Sequence, residues 1–179
     1  MNELPIEPVE LKRPYPRTVK LGDGTAVRLR LMEPGDVHRV LAFARSLPAD
    51  DLQFLRVDIT RMLVVMLWAQ NIKAGHTVTV LAEQDREVVG YASVHHDQVS
   101  WQRHLGELRV QVAPAFRSKG LGTVLGREIF AIAPEMGIEK IVAPPLLSVQ
   151  FTAKSASGAA AIAARAFFTL ASNRARVLA

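Results

Sequence analysis

The chain has 179 residues, 49% of them hydrophobic, enough for one domain with a real core. It contains no cysteine, which excludes disulfides, thiolate metal sites and a cysteine nucleophile. Lys and Arg number 22 against 17 Asp and Glu, and the net charge of +5 favours anionic ligands. The cations are scattered, with no helix-turn-helix, zinc-finger or RNP-type aromatic motif, so no nucleic-acid partner is expected. Residues 1–8 lack the basic flank and apolar core of a signal peptide. The longest apolar run, residues 62–69, falls far short of the ~18 residues that span a bilayer. A cytoplasmic protein without membrane contact is the expectation.

Residues 1–17 hold four prolines and no periodicity, and read as an irregular arm. Residues 18–31 alternate on either side of Gly22-Asp23-Gly24, a hairpin signal. Pro34-Gly35-Asp36 opens a helix over 37–46, and the run from Leu47 and Pro48 to Asp51 breaks it. Between 58 and 73, apolar residues at 59, 62, 63, 66 and 67 predict a second helix buried along that face. Strands follow at 77–82 and 88–95 around an Asp85-Arg86 turn, then a loop over 99–104. Residues 107–112 form a central strand, 120–133 a helix ending near Gly137, and 139–143 a strand stopped by Pro144-Pro145. The class is α/β (α+β): a mixed, mainly antiparallel sheet flanked by helices.

The most informative stretch is Arg117-Ser-Lys-Gly-Leu-Gly122, between the central strand and its helix. Glycines at such a junction let backbone N–H groups converge, and the helix N-terminus adds partial positive charge. Together they suit a phosphate or pyrophosphate. A nucleotide P-loop is excluded, because Gly122 is followed by Thr123 and Val124 and Lys119 precedes the glycines. A dinucleotide fingerprint is excluded too: Gly120, Gly122 and Gly126 are one residue too widely spaced. An ordinary strand–turn–helix with packing glycines is the structural alternative.

Arg-x-x-Gly-x-Gly after a strand resembles the acyl-CoA pyrophosphate loop of the GNAT superfamily of N-acetyltransferases. The likeness extends over residues 18–143. Asp23 to Arg30 with Pro34 and Asp36 resembles the family's opening strand and first helix. Leu81-Ala82-Glu83 and the run Val88 to Ala92 resemble its next two strands, and Trp101 to Pro114 its entry to the loop-bearing strand. The resemblance implies a GNAT fold with acetyl-CoA as cosubstrate and no metal. The implied cofactor-binding residues are Gln111, Val112, Arg117, Ser118, Lys119, Gly120, Leu121, Gly122 and Thr123. A backbone N–H near Gln111 or Val112 would polarise the thioester carbonyl. The implied activity is transfer of an acetyl group to an amine, on a protein lysine or a small molecule.

Glu107, on the same strand, is the candidate base that takes the amine proton. Half-burial in an apolar strand is expected to make it a better proton acceptor. The alternative is a plain ion pair with Arg109, two residues on and on the same strand face. The side chains of Arg117 and Lys119 either pair with CoA phosphates or belong to a solvated turn. His95 and His96, adjacent on a strand, point to opposite faces and read as surface histidines rather than metal ligands. His104 is placed at the acceptor entrance. Trp68 and Trp101 read as packing residues, and Tyr91 as core.

After Ala143 the family pattern stops. The final Tyr-x-x-x-Gly-Phe helix and two strands are absent, and residues 144–179 read as an atypical, partly helical tail around 159–170. The final strands are therefore expected to be missing or altered. That leaves a sheet edge beyond 139–143 that invites homodimerisation. A non-catalytic acyl-CoA-binding module, or an inactive shortened or frame-shifted variant, are the competing readings.

Overall fold

The computed structural model describes residues 11–53, 55–96, 101, 103–142 and 151–152. A hairpin of β1 (Arg17–Lys20) and β2 (Ala26–Leu31) turns at Gly24, whose φ of 85° suits glycine. A turn of 3₁₀ helix then leads into α1 (Val37–Ser46), a short α2 (Ala49–Leu52) and α3 (Met62–Lys73). Next come β3 (Thr77–Gln84), β4 (Glu87–His95), β5 (Leu105–Val112), α4 (Leu121–Ile132), β6 (Lys140–Val142) and β7 (Phe151–Thr152). The sheet order is the chain order, β1 to β7, and β5–β6 alone is parallel. That pair needs a crossover, which α4 supplies.

Strand alternation divides the core between the two sheet faces. One face carries Val27, Leu29, Val80, Ala92, Val94, Leu108 and Val110, covered by the α4 stripe Leu121, Leu125, Ile129 and Ile132. Each such buried aliphatic contributes roughly 1.5–3 kcal/mol. The other face carries Leu81, Val88 and Tyr91 under α1 and α3. There the Tyr91 ring meets Trp68 at 4.8 Å and Phe43 at 6.1 Å. Gly106 permits the close stacking of β5: a Cβ there would lie 2.7 Å from Val94 and 3.0 Å from Ile138.

Three expectations change. The α3 stripe is rotated: Val65, Trp68 and Ala69 are buried, while Leu63, Met66 and Leu67 are 64%, 46% and 49% exposed. The helix is apolar almost all round, so periodicity could not choose its face. Trp68 chooses it, by packing on Tyr91 and donating its indole N–H to Thr79 Oγ1 at 3.0 Å. Second, the arm is tied down from residue 11. Tyr15 donates its hydroxyl to Glu128 Oε2 at 2.7 Å, and Arg13 and Arg17 pair with the same buried carboxylate. Third, β7 pairs antiparallel with β6 through Lys140↔Thr152 and Ile141↔Phe151, so the edge expected to stay open is occupied over two residues. The helix anticipated at 159–170 lies outside the described residues.

Candidate active site

The chain leaves β5 through a 3₁₀ turn at Pro114–Phe116 and enters α4 through two left-handed residues, Ser118 (φ 61°) and Gly120 (φ 89°). The helical ladder starts with Val124 N–H donating to Gly120 O at 3.0 Å. Leu121, Gly122 and Thr123 therefore point N–H groups out of the helix end without intrahelical acceptors. A Cβ placed on Gly120 would meet nothing within 4 Å, so the space above the turn is open. The turn is braced from outside: Gly22 N–H donates to Lys119 O at 3.1 Å, and Lys119 Nζ pairs with Asp23 at 3.0 Å. The Thr25 hydrogen bonds, ahead of Lys119, hold the Asp23 carboxyl down to about 2.

The β5 strand leads away from this turn with one backbone edge committed. Ala113 N–H donates to Val89 O at 2.9 Å, and β4–β5 register runs unbroken from Gly90↔Val112 to His95↔Glu107. Antiparallel alternation then turns the N–H and C=O of Gln111, Arg109 and Glu107 toward β4. Those of Val112, Val110 and Leu108 face the β6 side. Pairing with β6 covers Leu105, Gly106 and Glu107. Among the described residues, β5 beyond Glu107 has no strand partner on that side. The Val112 carbonyl there accepts from Arg117 Nε at 3.3 Å, and Arg117 is also ion-paired with Asp51 of α2.

Glu107 lies at the far end of this strand, roughly 17 Å from Val112 by strand rise. It lines a cleft of about 430 Å³ with Arg56, Asn71, His76, Thr77, His95 and His96. Its Oε1 accepts from Arg109 Nε at 3.0 Å, and its Oε2 lies 3.6 Å from Arg56 Nη1. His95, directly across the ladder, bonds Thr77 Oγ1 through Nδ1 at 2.9 Å and Ser93 Oγ through Nε2 at 2.8 Å. Burial, and then the Arg109 charge, push this imidazole down to about 3, so it is neutral at physiological pH.

Residues 43–153 match the family model described as acetyltransferase (GNAT) family. The chain belongs to the GNAT family. It is accordingly an acetyltransferase by class. Its fold is similar to the GNAT domain of PAT from S. lividans, at TM-score 0.63 and 20% identity over 74% of this chain and 80% of that one. It is similar to a GNAT-family acetyltransferase from Streptococcus pneumoniae, at TM-score 0.55 and 22% identity over 65% and 73%. A third likeness is to yncA from Salmonella typhimurium, solved with its cofactor acetyl-CoA, at TM-score 0.56 and 20% identity over 66% and 69%. No curated protein matches the chain in sequence.

Within this GNAT scaffold the anticipated cofactor residues 117–123 form one turn, continuous with Val112. Gln111 differs, since its backbone faces β4. The side chains of Arg117 and Lys119 are held by Asp51 and Asp23 rather than standing free. Glu107 is paired with Arg109, as the structural alternative had it, and still lines the cleft. The histidines are not surface-loop residues: His95 ends β4, and His96 is buried beside the His76 carbonyl. Asp97 lies outside the described residues. Trp101 is no packing residue: it is 95% exposed. Sequence reasoning missed Asp51, Arg56, Asn71 and His76. The Asp50-Asp51 pair read only as a helix breaker, and nothing local to Arg56 announces its approach to a carboxylate 51 positions on. Among the described residues, no group of His, Asp or Glu could hold a metal ion and no helix is long and apolar enough to cross a membrane.

Proposed function

We propose that this GNAT domain moves the acetyl group of acetyl-CoA to an amine that enters the cleft beside Glu107. The observation carrying this reading is the open glycine turn between β5 and α4, where Gly120 sits at a φ of 89° with nothing within 4 Å of where a Cβ would stand. The N–H groups of Leu121, Gly122 and Thr123, with the helix dipole, would hold the pyrophosphate. The Val112 and Val110 edge would guide the pantetheine arm, and an N–H on that edge would stabilise charge developing on the carbonyl oxygen. Glu107, further along β5 from that edge, would accept the amine proton through intervening water.

Calorimetry with acetyl-CoA tests the cofactor assignment. Micromolar binding is expected, and Gly120→Glu should abolish it by putting bulk and negative charge into the phosphate cradle. Gly120→Ala imposes the same strain at positive φ without that charge, so the gap between the two variants reads the cradle itself. Equal binding by folded Gly120→Glu and wild-type protein would remove the assignment.

One observation favours a second reading, an acyl-CoA-binding module without turnover. Neither tyrosine is placed as a proton donor for the leaving thiolate. Tyr91 is buried, which raises its hydroxyl well above the ordinary value, and Tyr15 is held raised by burial and by its bond to Glu128. Release of CoA in the presence of amines separates the two readings.

A further inference from the structure

The charge balance of the cleft constrains what can bind there. Both oxygens of Glu107 are faced by guanidinium groups, Arg109 at 3.0 Å and Arg56 at 3.6 Å. Of the other polar lining groups, Asn71 and Thr77 carry no charge, burial and the nearby Arg109 keep His95 neutral, and His76 and His96 complete the set. The one carboxylate lining the cleft is thus faced by two guanidinium groups. A simple alkylammonium approaching Glu107 would gain one attraction and suffer two repulsions, so it is poorly matched to the cleft.

The two arginines are not equivalent. Arg109 is 17% exposed and donates a formed hydrogen bond, so it is fixed. Arg56 is 75% exposed, and its 3.6 Å separation from Glu107 is longer than a hydrogen bond. Its planar fork is free to turn to another anion, and a carboxylate matches it in a bidentate way. The cleft volume of about 430 Å³ falls in the range of small-molecule sites.

We infer that the acceptor is a small zwitterion, an amine with a carboxylate a few bonds away, whose acid group takes Arg56 while its amine takes Glu107. This rests on the acetyl-transfer reading above. Binding of such a molecule replaces the loose Arg56–Glu107 pair by two intermolecular ones, leaving the charge of the cleft balanced. Arg56 then sets specificity for the acid group, and Arg109 keeps Glu107 oriented.

The test is a panel of free α-amino acids, each with its carboxamide and its decarboxylated amine. CoA release is followed at saturating acetyl-CoA, with calorimetric binding of the same compounds to the CoA-loaded protein. At least one amino acid should exceed both of its neutral-tail partners about tenfold in kcat/KM and in affinity. Arg56→Gln should raise KM for the amino acid about tenfold and improve use of the bare amine, since a repelling cation is gone. Arg56→Lys should restore part of the loss. If amides or bare amines are acetylated as well as the acids, or if Arg56→Gln changes nothing, the inference is overturned and the transferase reading stands. Acetylation of lysine peptides alone would overturn it in the same way. Failure of acetyl-CoA itself to bind would instead remove the underlying reading, and the inference with it.

Discussion

Glu107 is the residue on which catalysis turns in this reading. Replacing it by Gln keeps the shape and the strand pairing but removes the proton acceptor. The expected loss in kcat at neutral pH is about 10²-fold, with acetyl-CoA affinity nearly intact. The loss should shrink as pH rises, because the acceptor amine is then already neutral; a loss of constant size across pH would remove Glu107 from the role. His95 supports a different measurement. Its folded pKa is pushed down to about 3, below the roughly 6.5 of an unfolded histidine. The unfolded chain therefore binds the extra proton between those values. Stability contributed by the neutral imidazole is fully present above about pH 6.5 and is lost as pH falls toward 3, with a slope of up to ~1.4 kcal/mol per pH unit. Urea midpoints at pH 7, 6 and 5 should fall accordingly. His95→Gln should flatten the profile, and an unchanged slope would assign the acid sensitivity to other groups.

Among the elements, α4 carries the most. Its N-terminus is the proposed phosphate cradle, its apolar stripe covers one sheet face, and its Glu128 anchors the N-terminal arm. Glu128 is 2% exposed and takes Arg13, Tyr15 and Arg17 on one carboxylate. Glu128→Ala leaves those donors without their acceptor, at a cost of about 2 kcal/mol, discounted for the partial exposure of both arginines. That is roughly 4–8 °C in Tm for a chain of this size. Thermal melts would check it, and a shift under 1 °C would show that the arm is not held through this residue. The helices also show what sequence can and cannot supply. The bounds of α1 and the turn before α4 were legible because Pro34, Gly120 and Gly137 punctuate the chain locally. The buried face of α3 was not, because residues 62–69 are apolar in every direction and only the distant Thr79 and Tyr91 select a side. The same limit hid the cleft. Arg56, Asn71 and His76 meet Glu107 through tertiary folding, and no short-range pattern encodes such a meeting. Local alternation likewise could not say that Trp101 would be left outside.

For the whole molecule, the strand order β1 to β7 has a consequence during synthesis. Each strand of the sheet pairs with the strand made just before it, across helices α1 to α3 for β3 and across α4 for β6. Loop-closure costs stay small, and pairing can keep pace with the emerging chain. The covering of the sheet cannot. Helices α1 and α3 are made before β3 and are ready to shield their face, while α4 is the last helix described and follows five strands. Until it leaves the ribosome, Val27, Leu29, Val80, Ala92, Val94 and Val110 have no cover on their side. A nascent chain paused there is a sheet with one greasy face turned to water, the kind of surface that holding chaperones bind and that aggregates when unprotected. The proposed phosphate cradle and the cover over that face arrive together, so on this reading the chain becomes able to hold its cosubstrate in the same step that makes it safe in solution.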